Sequence, residues 1–314
     1  MQRLRLAALA GLLLATTACA GLPNLLSPDG RRAERLMADV RVLAADDMQG
    51  RLVGTEGSAR ARRYIIRRFA ELGLQPGAAG GWTQGFAFAE EGAEFAGTNV
   101  IGVARGRSRP DDYIVVTAHY DHMGVVDGEV MNGADDNASG VAALFELARQ
   151  LRRRRPEHSV LFVALDAEEQ GLKGAEAFVR SPPVPLDRLR LNINLDMISR
   201  SDSGEFWAVG TTQYPRLRPP LEQVARRAPV KLRFGRDRPE DKGRDNWVDL
   251  SDQAAFHAAG VPFVYFSIDD HPDYHRPTDD PERMHVRFYQ GAVATVLDAL
   301  RTFDRMDLRT LKDR

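Results

Sequence analysis

The stretch SVLFVALDAEEQG (residues 159–171) joins seven uncharged, mostly apolar residues to a turn carrying one aspartate and two adjacent glutamates. A run of this length, rich in Val, Leu and Phe without polar alternation, reads as a strand covered on both faces, the form typical of parallel sheets. Four more runs repeat it: NVIGVA (99–104), YIVVTA (113–118), LRLNINL (189–195) and VPFVYFSI (261–268). Helical periodicity lies between several of them, in ASGVAALFELARQLRRRR (138–155), LKGAEAFVR (172–180) and SDQAAFHAAG (251–260). The alternation predicts a three-layer α/β fold, a mostly parallel sheet with helices on both faces. Upstream, RRAERLMADVRVLAA (31–45) and SARARRYIIRRFAELGL (58–74) are also helical in period, the second stopping at Gly73. Residues 76–98 read as loops with a hairpin, and 200–250 as a polar excursion over the surface that could rim the site.

The chain has 314 residues, a formal net charge of -1 and one cysteine. That length suits one large domain, and the charge balance gives no reason to expect nucleic acid as a partner. The four arginines 152–155 close a helix, where cations suit the negative end of the dipole. MQRLRLAALAGLLLATTACA (1–20) has Arg3 and Arg5, an apolar stretch and then small residues, the layout of a secretory signal. TTAC (16–19) resembles a bacterial lipoprotein processing site; the alternative is ordinary cleavage after Ala20. The expected organisation is therefore a lipoprotein-type signal at 1–19, a spacer at 20–40 and a single large domain at 41–314. The product would be exported to the periplasmic side of a bacterial membrane and tethered only through Cys19, or else secreted.

In open α/β sheets ligands gather beyond the carboxyl ends of the strands, and here His, Asp and Glu recur there. HYDHMG (119–124) follows YIVVTA, NGADDNASG (132–140) comes a short loop later, and DMI (196–198) follows LRLNINL. DDHPDYHRPTDD (269–280) follows VPFVYFSI. So many carboxylates in one cleft need cations to offset their repulsion. Imidazole plus carboxylate, with no thiolate, suits Zn²⁺, with Mn²⁺ or Co²⁺ as alternatives.

HYD, GADDNASG, AEEQGLKGA, NLDMI and YHRPTDD, in that order, resemble the motifs of the co-catalytic di-zinc exopeptidases. That family includes secreted bacterial aminopeptidases and is related to glutamate carboxypeptidases and glutaminyl cyclases. The resemblance covers residues 40–300, MQGRLVGTEG (48–57) included, and implies a zinc-exopeptidase-like fold holding two Zn²⁺. Carried across, it implies His119 and Asp196 on the first ion, Asp136 bridging both, Glu169 and His275 on the second, and Glu168 as general base. It further implies a cis peptide at Asp136–Asn137, Asp121 orienting the His119 ring, and Tyr274 polarising the scissile carbonyl. Asp279 is a candidate to orient His275. Asp135 competes with Asp136 as the bridge, and His122 and His271 with His119 and His275; His158, His257 and His285 read as packing or surface groups. Where one branch of the family has SDH, this chain has SDQ (Ser251–Gln253).

The implied activity is metal-dependent hydrolysis of peptide substrates by an aminopeptidase. Carboxypeptidase or dipeptidase action, glutaminyl-cyclase-like chemistry and a catalytically silent lipid-anchored binding module are the alternatives. For the N terminus the expected product begins at a lipidated Cys19, checked by mass spectrometry of the mature protein; an unmodified Ala or Gly start excludes the anchor.

Overall fold

The computed structural model describes residues 28–90 and 92–312; the signal expected at 1–19 lies outside them. In chain order come α1 (Pro28–Leu43), α2 (Glu56–Glu71), β1 (Gln75–Pro76), β2 (Thr83–Glu90), β3 (Ala93–Ala104) and β4 (Arg109–His119). Next are the two-residue strands β5 (Val125–Val126) and β6 (Glu129–Val130), then α3 (Gly140–Arg153), β7 (His158–Leu165), α4 (Lys173–Arg180) and β8 (Leu189–Leu195). The chain ends with β9 (Glu205–Val209), α5 (Arg218–Ala225), β10 (Lys231–Phe234), α6 (Gln253–Ala258), β11 (Phe263–Ser267) and α7 (Val286–Asp304).

Nine strands form one mixed sheet in the order β1-β3-β7-β4-β8-β11-β9-β10, with β2 also paired to β3. The central β7, β4, β8 and β11 are mutually parallel, as are β9 and β10. The antiparallel pairs lie at β1–β3, β2–β3, β3–β7 and β9–β11. The parallel centre agrees with the sequence pattern. The antiparallel flanks escaped it because apolar content reports burial and carries no strand direction.

Each central strand splits its residues between two cores by the two-residue period of the pleat. Ile114, Val116 and Ala118 of β4 pack with α1, α2, α3 and α7 on one face. Tyr113 and Val115 turn to the other, against Phe178 of α4 and Phe256 of α6. Caps set the helix ends: Thr55 accepts the Ser58 N–H at the start of α2, and Gly73, at φ 78°, follows its last turn.

Two expectations change. The spacer boundary at residue 40 falls inside α1, whose Leu36, Met37 and Val40 are buried in the main core, with Arg35 paired to Glu146 of α3. The excursion 200–250 is partly sheet: β9 and β10 extend it with α5 between them in the chain, and Phe206 and Ala208 face the core while Trp207 faces away. A five-residue strand alternating only across three positions is too short to stand out in a polar segment.

Among the described residues no helix is long and apolar enough to cross a membrane. Leu36→Ala should cost about 2–5 kcal/mol, the range for a buried leucine, measured by chemical denaturation; a helix that were mere spacer would show no loss.

Candidate metal centre

The carboxyl ends of β4, β7, β8 and β11 meet at one rim, and the five expected ligands converge there. His119 is the last residue of β4, Asp196 the first after β8, and Glu169 lies in the turn after β7. Asp136 sits in the segment leading into α3, where the Asp136–Asn137 peptide is cis, and His275, at φ 54°, lies in the loop after β11.

The distances fall into two sets joined by one carboxylate. His119 Nε2 is 3.2 Å from Asp136 Oδ1 and 3.1 Å from Asp196 Oδ1. His275 Nε2 is 3.2 Å from Asp136 Oδ2 and 3.3 Å from Glu169 Oε2. Two ligands held at about 2.0–2.1 Å from one tetrahedral ion stand about 3.3 Å apart, so both sets have the spacing of atoms sharing a zinc. Asp136 thus turns one oxygen toward each of the two imidazoles.

His122 is a rival to His275, since its ligand atom also groups with those of Asp136 and Glu169 closely enough to share a cation, and distance separates the two. The His122 Nδ1 lies 2.6 Å from Glu169 Oε1 and 3.8 Å from Asp136 Oδ2. The shorter contact is a hydrogen bond, too close for two ligands of one tetrahedral ion. His122 therefore steadies the free oxygen of Glu169, a contact that neither spacing nor motif disclosed. Asp135 is committed elsewhere: Oδ1 accepts from the N–H and hydroxyl of Ser199, and Oδ2 faces His271 Nε2 at 3.1 Å. His158 meets Asp304, His257 meets Tyr214 and His285 lies against Ser201, all away from the rim.

Two expected orienting roles take other forms. The His119 Nδ1–H faces the backbone carbonyl of Asp121 at 3.2 Å, while that residue's carboxylate is 3.8 Å away. The Asp121 carboxylate instead accepts the N–H groups of Glu168 and Glu169, at 3.1 and 3.2 Å. It grips the turn after β7, where Ala167 at φ 58° swings the chain off the strand and two successive glutamates diverge. Asp279 accepts the N–H groups of Asp135 and Asp136 and makes no contact with His275 that would orient the ring.

Glu168 lines the cleft beside His119, Asp136 and Asp196. Burial drives its carboxyl well above the usual range, and Asp196 and Asp252 add to that against the pull of His119. Asp252 is itself buried, pushed to about 7 by burial, and neither of its oxygens has a hydrogen-bond partner among the described residues. Gln253, the departure from SDH, serves the scaffold: it accepts from Asn194 of β8 and donates to the carbonyls of Trp247 and Val248. Tyr274 lies in the cleft with its ring stacked on His275 at 3.9 Å, and burial with Asp136 nearby keeps its phenol protonated.

The electrostatics call for cations. At His275 burial opposes protonation, yet Asp136 and Glu169 outweigh it and raise the imidazole to about 10. At His119 burial is likewise outweighed, chiefly by Asp196 and Glu168. Imidazoles and carboxylates, with no thiolate and no arginine among the donors, make a set that divalent zinc fits.

Sequence reasoning also missed what lies beneath. Arg51, within MQGRLVGTEG, is 1% exposed and donates to the carbonyls of Leu43, Tyr120, Asn132 and Gly133 at 2.6–2.9 Å, and to that of Asp136 at 3.5 Å. Burial lowers its pKa to about 10, opposed by Asp136 and Asp121, so it stays charged at neutral pH. The carbonyls it binds follow His119 and flank Asp136. Gly133 in that loop is at φ 54°, and a Cβ there would lie 2.0 Å from the Asp136 carbonyl oxygen.

The family model of Peptidase family M28 matches residues 99–300. Among curated proteins the chain is 30% identical over 199 residues to Aminopeptidase YwaD of Bacillus subtilis, covering 59% of this chain and 40% of that protein. It is 29% identical over 214 residues to a Glutamate carboxypeptidase 2 homolog of Caenorhabditis briggsae, covering 58% of this chain and 26% of that protein. The chain thus spans less than half the length of these relatives. Among solved structures it resembles an aminopeptidase from Aneurinibacillus sp. strain AM-1 (TM-score 0.68, 18% identity, 86% of this chain and 94% of that one). It equally resembles a Bacteroides thetaiotaomicron glutaminyl cyclase (TM-score 0.68, 19% identity, 86% and 97%). The chain belongs to peptidase family M28.

Arg51→Met leaves buried carbonyls without their cation and should destabilise the fold by about 3–5 kcal/mol, read by denaturant titration. Metal content of the surviving folded fraction should fall with it.

Proposed function

We propose that this protein is an exported two-zinc aminopeptidase that releases N-terminal residues from peptides. The observation carrying this reading is the divided Asp136 carboxylate, with one oxygen 3.2 Å from His119 Nε2 and the other 3.2 Å from His275 Nε2. His119, Asp136 and Asp196 would hold the first ion, and Asp136, Glu169 and His275 the second. A pair of zinc ions so placed would lower the pKa of a water and polarise a scissile carbonyl.

The chain's own groups account for the rest. Glu168, in the cleft but outside both donor sets, accepts a proton at its carboxylate and delivers it to the departing amine. Tyr274 presents a neutral phenol toward the cleft as a donor for the substrate carbonyl oxygen. The cleft has a volume of about 440 Å³, ample for a residue and its neighbour. Export rests on the signal read at residues 1–19, and attachment on Cys19.

Five donors and a base favour this over a single-ion cyclase or a silent binding module. Zinc-loaded protein should carry close to two ions per chain and cleave a peptide with a free N terminus whether or not its C terminus is blocked. Glu168→Gln should keep the metal and lose activity about 10²-fold or more. One ion per chain, a need for a free C terminus, or a fully active Glu168→Gln variant would each refute the corresponding part.

A further inference from the structure

Across the cleft from the metal donors stands a guanidinium set in an aromatic corner. Arg236 follows Gly235 and is itself at φ 62°. The Trp247 N–H donates to its carbonyl at 2.7 Å, which ties the two residues together. Its guanidinium carbon lies 4.9 Å from the Trp207 ring and 5.0 Å from the Trp247 ring, and the two indoles meet edge to face. Cation–π attraction from two rings fixes the plane of the guanidinium and leaves its N–H edges as the polar surface.

Those edges are held unequally. Nη2 donates to Asp269 Oδ1 at 2.5 Å, and the other oxygen of Asp269 accepts from Trp207 Nε1, so that carboxylate is pinned from two sides. Nη1 donates to Asp245 at 3.1 Å, and the Asp245 side chain is 76% exposed. An ion pair so open to water is weak and little obstacle to exchange. Arg236 and Asp245 also border two spaces at once: the 440 Å³ cleft that contains the metal donors, and an adjoining chamber of about 400 Å³ lined by Trp207, Phe234 and Lys242. The loosely held edge of the guanidinium therefore lies on the path of a substrate extending away from the metals.

We propose that Arg236 is a specificity-determining residue that receives a carboxylate of the peptide substrate in place of Asp245. The inference rests on the peptidase reading above and adds to it a substrate class, peptides bearing a carboxylate near the scissile bond. The Asp245 side chain, 76% exposed, can turn into solvent as the substrate carboxylate takes its place, so the guanidinium still faces two carboxylates and the displaced charge is screened by water. Arg244, the other guanidinium in the cleft, is 72% exposed and engaged with Asp270, so it lacks the rigid setting that makes Arg236 selective. Two sources offer the same group, an acidic side chain or the C-terminal carboxylate of a short peptide.

The test uses zinc-loaded full-length protein and matched peptides. One pair differs only in a free or amidated C terminus, the other only in Glu or Gln beside the scissile bond. In at least one pair the carboxylate member should have about tenfold higher kcat/KM, mostly through KM, and the pair that shows it identifies the source. Arg236→Gln should bring that ratio close to one, whereas Asp245→Asn, which keeps the guanidinium and removes its competitor, should raise it. Neutral peptides cleaved as well as acidic ones in both pairs would overturn the proposal, as would an unchanged ratio in a folded Arg236→Gln variant. Should that variant fail to fold, Asp245→Asn decides, and a ratio at or below wild type refutes the assignment. Absence of turnover on every peptide, neutral ones included, overturns the peptidase reading and this one together; neutral turnover without discrimination overturns this one alone.

Discussion

Carboxylates crowded at one rim of the sheet cannot coexist without positive charge among them, and the rest of the structure is arranged around that constraint. Asp136, Glu169 and Asp196 each lie within 3.3 Å of an imidazole nitrogen, with Glu168 close by. Two unit charges a few ångströms apart in a poorly hydrated site repel by several kcal/mol, so compensation is a condition of folding as well as of chemistry. Histidines answer part of the demand, and a bound divalent cation would answer more of it.

A second layer answers it from below. Arg51 brings a permanent charge beneath the rim and spends its five N–H groups on carbonyls, leaving the carboxylates free. Asp121 and Asp279 work similarly through backbone N–H groups, one holding the Glu168–Glu169 turn and the other the Asp135–Asp136 segment. The acidic groups of the centre thus divide into those whose oxygens face the two imidazoles and those whose oxygens fix the backbone that presents them.

The sheet makes such precision attainable. Parallel strands place their carboxyl ends side by side, so residues at 119, 169 and 196, which are remote in the chain, reach one rim by the same geometry. The antiparallel β9 and its partner β10 widen the sheet beyond β11 and bring Trp207 under Arg236. In the aromatic corner Trp207 is set on the sheet, while Arg236 and Trp247 lie in the loop beyond β10 and are tied by the Trp247 N–H to the Arg236 carbonyl.

The sequence by itself determined the layered α/β architecture, and the resemblance of its motifs to a known family named the residues found converging at the rim. Uninterrupted apolar runs report burial on two faces, and residues just past a parallel strand have only one rim to occupy. The roles of Glu168 and Glu169 were told apart only by the family resemblance, and adjacent residues leaving a strand end in different directions supply a physical reason for the split. Only the tertiary structure decided that His122 bonds Glu169, that the Asp121 and Asp279 carboxylates hold backbone, that Arg51 lies buried under the centre, and that α1 and the segment 205–234 belong to the core. Each of these depends on a distance of a few ångströms between residues tens to more than a hundred positions apart, and local patterning carries no such distances.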